Sequence, residues 1–196
     1  MVYLKSGFNV VFTFVLIMFP SISFSADTAV ALLTSEEWEE DEWVVDYIGE
    51  SFVIASVNGQ ITHGDRLRVR LEFGDCDNAH VIAHVYTMRG NVGVLDMDEK
   101  EISVAIDGNE ASGTMILPRK FLSGHSFLLY LGSSSVAGLK SYFSVLESTT
   151  LQLLDNEETQ ISEYVDLDRN EWSLNGLTGA LDKAQATCRA GRKYPA

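Results

Sequence analysis

The feature that most constrains the fold of this chain is a strict alternation of side chains between residues 66 and 73. The apolar members are Leu67, Val69, Leu71 and Phe73, and the charged members are Arg66, Arg68, Arg70 and Glu72. Successive side chains of a β-strand point to opposite faces of a sheet, so this segment has one apolar and one charged face. The alternation predicts a strand whose apolar face lies in the core and whose arginines face solvent.

Similar short runs recur along the chain at intervals of about ten residues. They predict strands at 52–57, 81–88, 102–106, 114–117, 127–131, 141–146 and 150–154, with a loop at 132–135. The pairs Asn58-Gly59 and Asp107-Gly108 are typical of tight turns between antiparallel strands. Regularly spaced short strands without helical periods between them favour a mainly β fold, an antiparallel β-sandwich-like domain.

One α-helix is predicted at the C-terminus of this domain. Small and apolar residues recur there at helical spacing, at Leu177, Ala180, Leu181, Ala184 and Cys188. The chain has two cysteines, so Cys76 and Cys188 have a single mode of pairing. A redox pair is the alternative, but such pairs usually form a C-x-x-C motif. We therefore expect a structural disulfide that links the helix to the end of the alternating strand.

Residues 1–25 have the three parts of a cleavable signal peptide. Lys5 is their only charge, an apolar run follows at 10–19, and Ser23 and Ser25 are small residues before the cleavage site. The apolar run is shorter than the ~20 residues that a membrane-spanning helix needs. We expect an exported protein, periplasmic or secreted, in a compartment where disulfides persist.

The next segment, residues 26–42, is predicted to be an acidic, flexible N-terminal arm, because it contains a dense run of like charges. Trp38 lies within that run. It is either a recognition anchor for a partner or a side chain that folds back onto the domain. Residues 43–190 form the β-rich domain with its C-terminal helix, and residues 191–196 form a tail.

The net negative charge of the chain argues against some classes of binding partner. Its formal net charge is −14, and cleavage of a signal peptide whose only charge is Lys5 makes it −15. Nucleic acids and anionic membrane surfaces are bound through basic patches, so neither is expected as a partner. No stable membrane insertion is expected after signal cleavage. The charge suits a basic protein partner, cations, or simple solubility.

Candidate chemistry is sparse. Arg66, Arg68 and Arg70 on one strand face can bind an anionic ligand or an acidic partner. The favoured alternative is cross-strand pairing of these arginines with Glu and Asp. His80 and His84 are four residues apart in a strand, about 13 Å, which is too far to share one metal ion. No catalytic or phosphate-binding motif is present, so we predict no enzymatic activity, no cofactor and no metal.

The C-terminal residues resemble a known family. Trp172-Ser173-Leu174-Asn175-Gly176, followed by Ala180-Leu181 and Cys188, is similar to the end of the invasion-associated locus B family of exported bacterial proteins. Trp43-Val44-Val45 is similar to the opening strand of that family. The resemblance implies an extracytoplasmic, non-enzymatic, β-rich accessory or interaction protein, and it carries over no site residues.

Two functions are therefore expected from the sequence, and a hydrolase with an unrecognised site is a third hypothesis. The first is an accessory or binding protein that acts through protein–protein contacts, and the alternative is a carrier of a small ligand or a cation in the periplasm. A carrier should contain an apolar cavity. An interaction protein should present an exposed aromatic or apolar patch or an unpaired sheet edge.

Overall fold

A computed structural model of the protein describes residues 38–40, 42–48, 51–62, 64–88, 92–121 and 123–191. The strands are β1 (Trp38–Glu40), β2 (Trp43–Ile48), β3 (Phe52–Asn58), β4 (Arg66–Glu72), β5 (Asp75–Thr87), β6 (Glu101–Ile106), β7 (Asn109–Phe121), β8 (Gly124–Ser135), β9 (Ser148–Leu153) and β10 (Arg169–Ser173). The helices are α1 (Val136–Phe143) and α2 (Leu177–Ala190), with short 3-10 helices at Val92–Met97 and Ile161–Glu163. The predicted signal peptide and most of the predicted arm and tail lie outside the described residues.

The ten strands form one sheet in the order β1-β2-β3-β4-β5-β8-β7-β6-β9-β10, and all neighbouring strands are antiparallel. The sheet folds over on itself, so that β10 contacts β3 near the opposite end of the strand order. The indole Nε1 of Trp43 in β2 donates a hydrogen bond to the Ser173 carbonyl oxygen in β10, at 3.2 Å. The prediction of a mainly β, antiparallel, sandwich-like domain is confirmed.

The core lies between the two halves of the folded sheet. Leu67, Val69 and Leu71 are buried there, as their alternation predicts, and Trp43 and Trp172 are among the largest buried side chains. Helix α2 packs against β2, β3, β4 and β5, because its small and apolar residues form one face. Nine of its fourteen residues are strong helix formers, and burial of this face supplies the tertiary packing that stabilises most helices in proteins.

The predicted disulfide is present. Cys76 in β5 and Cys188 in α2 are bonded, with their Cα atoms 5.7 Å apart. The bridge fixes the last turn of α2 to the β4–β5 hairpin. The side chain of Gln185 adds a hydrogen bond to the Cys76 carbonyl oxygen at 3.2 Å.

Three predicted boundaries are wrong. Part of the segment predicted as a flexible arm is a strand. Residues Trp38–Glu40 form β1, which pairs with Trp43–Val45 of β2. The predicted loop at 132–135 belongs to β8, where the pairing shifts near Gly132, whose φ is +122°. Strand β7 continues past the predicted stop at Pro118, because a bulge between Ile116 and Arg119 accommodates the missing N–H of proline.

The prediction of a strand at 141–146 is also wrong, because residues 136–143 form α1. The side-chain oxygen of Ser135 accepts a hydrogen bond from the Gly138 N–H and caps the start of this helix. Val136 and Leu139 are its buried residues. Among the described residues, no helix is long and apolar enough to cross a membrane.

Candidate functional site

The three arginines of β4 lie on the outer face of the sheet, opposite the core. Across the ladder to β5, Arg66 is opposite His84 and Arg70 is opposite His80. Because side chains alternate along each strand, the two histidines share this face with the arginines. Arg119 belongs to the same face, since it pairs with Ser126 in β8, and Ser126 pairs with Tyr86 in β5.

Arg70 is buried and neutralised within the sheet, which corrects the prediction that it faces solvent. Only 7% of its surface is exposed. Its Nη2 lies 3.1 Å from Glu72 Oε1, two residues along the same strand. Its guanidinium carbon lies 4.5 Å from the centre of the Phe52 ring, at a distance typical of a cation–π contact. Arg70 therefore has its charge satisfied by the protein itself.

Arg66 and Arg68 differ from Arg70 because neither has a carboxylate partner among the described residues. Arg66 donates from Nε to the amide oxygen of Asn58 at 3.1 Å. Within the described ranges, no carboxylate oxygen lies within 4.0 Å of a guanidinium nitrogen of Arg66, Arg68 or Arg119. The predicted cross-strand pairing with Glu and Asp is therefore wrong for both β4 residues in the part of the chain that is described.

Arg66, Arg68, Arg119 and His84 lie near one another on this face, and we call these four residues the cationic cluster. Burial and the charges of Arg68, Arg66 and Arg119 lower the pKa of His84 to about 3. Burial, together with the charge of Arg66, also lowers the pKa of Arg68. The cluster thus contains a neutral histidine surrounded by positive charge, and the buried Nδ1 of its ring has no hydrogen-bond partner among the described residues.

Four exposed apolar side chains lie on β5 or on segments that hydrogen bonds connect to it. We call this group the apolar rim, and its members are Ile61, Tyr86, Met88 and Leu167, with exposed fractions between 36% and 61%. The Tyr86 ring contacts the His84 ring, with 4.3 Å between centroids, and the Phe121 ring, with 5.7 Å. The rim is therefore continuous with the cluster at Tyr86.

Three polar side chains hold the backbone of the rim, and two of them, Asp65 and Asn170, are buried. Asp65 accepts a hydrogen bond from the Tyr86 N–H at 2.7 Å, and Asn170 accepts one from the Ile61 N–H at 3.1 Å. Asp65 and Asn170 are themselves hydrogen-bonded at 3.0 Å. The Met88 N–H donates to the carboxylate of Asp166. Three separate segments of the chain are thereby positioned at one end of the sheet.

Burial of Asp65 has an electrostatic cost that the network offsets only in part. The pKa of the Asp65 carboxyl is raised by burial, and hydrogen bonds from the Tyr86 N–H and the Asn170 amide act in the opposite direction. A buried carboxylate is tolerated when several donors satisfy it. The rim therefore has a specific internal support, unlike a surface loop that only happens to expose apolar residues.

Trp38, which the sequence offers as a recognition anchor, is not beside the arginines. It lies in β1, and β2 and β3 separate β1 from β4. Strands are spaced by about 4.8 Å, so its backbone is roughly 14 Å from that of the arginine strand. The structure thus brings Arg66 and Arg68 together with His84 and places Trp38 elsewhere.

The two histidines of β5 do not converge on one site. His80 Nδ1 lies 3.2 Å from the Tyr130 hydroxyl, whereas His84 belongs to the cationic cluster. In the described part of the chain, no group of three or more His, Cys, Asp or Glu side chains has the arrangement of a metal site.

Sequence reasoning missed two members of the cluster. In the sequence His84 stands out only as a possible metal ligand, although its place opposite Arg66 follows once the β4–β5 hairpin is known. No sequence pattern indicates that Arg119 belongs to the cluster, because Arg119 comes near His84 only through the strand order β5-β8-β7. Comparisons with protein-family models, with curated proteins and with solved structures found no match.

Proposed function

We propose that this protein is an exported accessory protein that binds an acidic protein partner through the cationic cluster and the apolar rim. The observation that carries the proposal is the absence of a carboxylate partner for Arg66, Arg68 and Arg119 within the described residues. The proposal follows the first function expected from the sequence, with the partner's charge revised from basic to acidic.

The energetics of Arg68 favour an anionic group at this site. Its side chain is only partly exposed, and burial lowers the pKa of its guanidinium group. A half-buried charge that is not paired is unfavourable, whereas a bidentate contact between guanidinium and carboxylate is among the stronger hydrogen-bonded pairs. A carboxylate from a partner would supply this contact and would also neutralise the repulsion among the three arginines.

The neighbouring rim favours a protein over a small anion. Tyrosine, methionine and arginine are enriched in protein–protein interfaces, and apolar side chains surrounded by polar groups are typical of binding hot spots. Tyr86 in β5 and Met88 just after this strand extend the surface beyond the reach of a single carboxylate. A partner segment with an acidic residue beside an apolar one fits both parts.

Export and family membership are parts of the proposal that come from the sequence. The signal-peptide pattern at residues 1–25 supports export, and the Cys76–Cys188 disulfide is compatible with an oxidising compartment. The resemblance to the invasion-associated locus B family supports a non-enzymatic accessory role outside the cytoplasm.

The proposal can be tested by site-specific photo-crosslinking in the native cell envelope. A photoreactive amino acid is placed at Met88 in the apolar rim or, as a control, at Val145, which is also exposed and follows α1. We expect one cross-linked partner from position 88 and none from position 145. The partner's cross-linked peptide should contain Asp or Glu.

Charge reversal then separates this site from general charge effects. Arg66→Glu with Arg119→Glu should remove the cross-link and weaken the purified complex by about tenfold or more, because charges at an interface are replaced by repulsive ones. Lys100→Glu with Lys183→Glu makes the same change of net charge at two exposed residues outside the cluster and the rim, and it is the matched control. Cross-linking that survives the double reversal, or that is lost equally in the control, would contradict the proposal.

A further inference from the structure

Strands β7 and β8 are paired along only part of their lengths. The ladder between them ends at Thr114 and Tyr130. Beyond that point, residues 109–113 of β7 pair with β6 alone, and residues 132–135 of β8 pair with β5 alone. A gap therefore opens in the sheet, and one edge of β7 has no neighbouring strand among the described residues.

The backbone of this edge presents hydrogen-bonding groups to the gap. The Met115 N–H donates to the Lys100 carbonyl oxygen at 2.8 Å, and the Met115 carbonyl oxygen accepts from the Glu99 N–H at 2.8 Å, so Met115 faces the β6 side. Backbone groups of successive residues in a strand point to opposite edges. Glu110 and Ser112 therefore direct their N–H and C=O groups into the gap, where no described residue bonds to them.

The outer edges of the sheet are protected from pairing, unlike this one. In edge strand β10, the Glu171 carbonyl oxygen accepts from the Gln60 N–H at 2.8 Å, and the Ser173 carbonyl oxygen accepts from the Trp43 indole. At the opposite edge, β1 has only three residues, and two of them are glutamates. Covering, short length and charge are the usual means of preventing edge pairing. By contrast, residues 109–112 are all exposed, and no described segment covers their gap side.

An apolar cavity of about 270 Å³ lies at the gap. Ala111 of β7 and Leu131 of β8 line it, together with Val81 of β5 and with Leu139 and Phe143 of α1. A strand that pairs with a sheet edge directs alternate side chains to each face. An apolar cavity of about 150 Å³ is large enough to bind benzene, so this one has room for the apolar side chains that an added strand would direct inwards.

Glu110 gives the edge a charge preference. Its side chain is exposed and has no cationic partner within 4.0 Å among the described residues. The residue of an added strand that lies directly opposite Glu110 would have its Cβ about 5 Å away. Opposite charges at such positions are stabilising, whereas like charges are destabilising. Lysine or arginine is therefore favoured opposite Glu110, and a polar residue suits the position opposite Ser112 on the same face.

From these observations we propose that the gap between β7 and β8 is a strand-addition site. The occupant is an extended segment of a partner protein that pairs antiparallel with residues 109–113. It has a basic residue opposite Glu110, flanked by apolar residues that enter the cavity. Backbone hydrogen bonds supply affinity at such sites, and pockets for alternate side chains supply specificity. Arg119 and the rest of the cationic cluster lie beyond the other end of the gap, so either proposal can fail while the other stands.

The probe is the peptide acetyl-Thr-Leu-Lys-Leu-Thr-amide, whose side-chain pattern is the same in both directions. It is titrated into the protein, with the disulfide intact, and binding is followed by the backbone amide signals in NMR spectra. We expect saturable binding with a Kd of about 1 mM or tighter. The largest changes should occur at Glu110 and Ser112, whose N–H groups gain acceptors.

Methylation of the peptide backbone distinguishes strand addition from other modes of binding. When the lysine lies opposite Glu110 in an antiparallel pair, its N–H faces β7, whereas the N–H groups of both leucines face away. N-methylation of the lysine should weaken binding by about tenfold or more, because it removes a hydrogen bond and places a methyl group at the paired edge. N-methylation of the second leucine is the matched control and should change the Kd by less than about twofold.

Variants of the protein locate the binding at the gap. Ser112→Pro removes an N–H that points into the gap without removing a hydrogen bond to β6, and it should abolish binding. Glu110→Lys should weaken binding of the lysine peptide by about threefold and favour the peptide acetyl-Thr-Leu-Glu-Leu-Thr-amide instead. Glu157→Lys makes the same change at an exposed residue outside the gap and should leave the preference for lysine unchanged.

Four results would overturn the proposal. The first is absence of saturable binding of the lysine peptide to the wild-type protein, and the second is an equal effect of the two N-methylations. The third is a preference for lysine that survives Glu110→Lys. The fourth is concentration-dependent dimerisation that Ser112→Pro abolishes, which would assign the gap to a second copy of this chain. The peptide comparisons on the wild-type protein do not depend on whether any variant folds.

Discussion

The cationic cluster predicts that the stability of this protein depends on pH through His84. Burial and the nearby charges of Arg68, Arg66 and Arg119 lower the pKa of His84 from 6.5 to about 3 in the folded state. In the unfolded chain the ring regains its ordinary pKa and binds a proton more readily. The folded state is therefore most favoured above pH 6.5, and this stabilisation is lost as the pH falls from 6.5 towards 3.

The size of the effect follows from the two pKa values. Between pH 7 and pH 5 the unfolded histidine becomes almost fully protonated, while the folded one remains neutral. Each pKa unit corresponds to about 1.4 kcal/mol, so the free energy of unfolding should fall by about 2 kcal/mol over this range. This is a large fraction of the stability of an ordinary domain.

The assay is urea denaturation of the wild-type protein and of His84→Gln at pH 7 and pH 5, at constant ionic strength. The difference in unfolding free energy between the two proteins should change by about 2 kcal/mol, because other titrating groups, including Asp65 with its raised pKa, cancel in the comparison. His80→Gln is the control. The pKa of His80 is also lowered, by burial and Arg70, but Glu72 and Asp75 act in the opposite direction, so a smaller change is expected.

A His84 ring that titrates near pH 6.5 in the folded protein, as followed by NMR, would contradict its burial among the three arginines. An unchanged pH dependence of stability in His84→Gln would contradict it as well. A bound acidic partner should raise the pKa of His84, since a nearby carboxylate favours the charged imidazole. The same NMR titration, repeated with the partner, therefore links the stability measurement to the proposed function.

Two further predictions concern stability. Replacement of Cys76 and Cys188 by serine should lower the unfolding free energy by about 4–5 kcal/mol, as expected for a bridge that closes a loop of more than 100 residues, and hydrogen exchange should show early opening of α2. Gly124→Ala should destabilise the protein by more than about 2 kcal/mol in the same urea assay, because the new Cβ would lie 2.0 Å from the Thr87 carbonyl oxygen. Gly64→Ala, whose Cβ would come no closer than 3.7 Å to any neighbour, is the control and should be nearly neutral. Equal effects of the two glycine substitutions would contradict the packing described for β5 and β8.

The local features of this fold could be read from the sequence. The alternation in β4 and the helical spacing in α2 are periodicities of neighbouring residues, so no knowledge of the tertiary structure is needed to find them. The turn at Asp107-Gly108 is another local signal, and both residues have the positive φ angles that such a turn requires. The disulfide followed from the cysteine count, because two cysteines have only one pairing.

The secondary-structure predictions are wrong where the local sequence signal is weak or where strand pairing overrides it. Helix α1 has eight residues and was predicted as a strand near its C-terminal half, because such a short segment has too few turns for its period to be clear. Pro118 was predicted to end a strand, but the bulge in β7 lets the strand continue on the far side of the proline. In both cases, contacts with neighbouring strands that are distant in sequence determine the local secondary structure.

By itself, the sequence determined the mainly β class, the C-terminal helix, the disulfide and the row of three arginines, since each is encoded by residues close together or by a count. Only the tertiary structure decided that Arg70 lies over the Phe52 ring and pairs with Glu72, whereas Arg66 and Arg68 lie near His84 and Arg119. It likewise created the cavity and enclosed the Trp172 ring. The physical reason is that charge pairing and cavity volume depend on distances between strands brought together by the sheet order, which local periodicity does not encode.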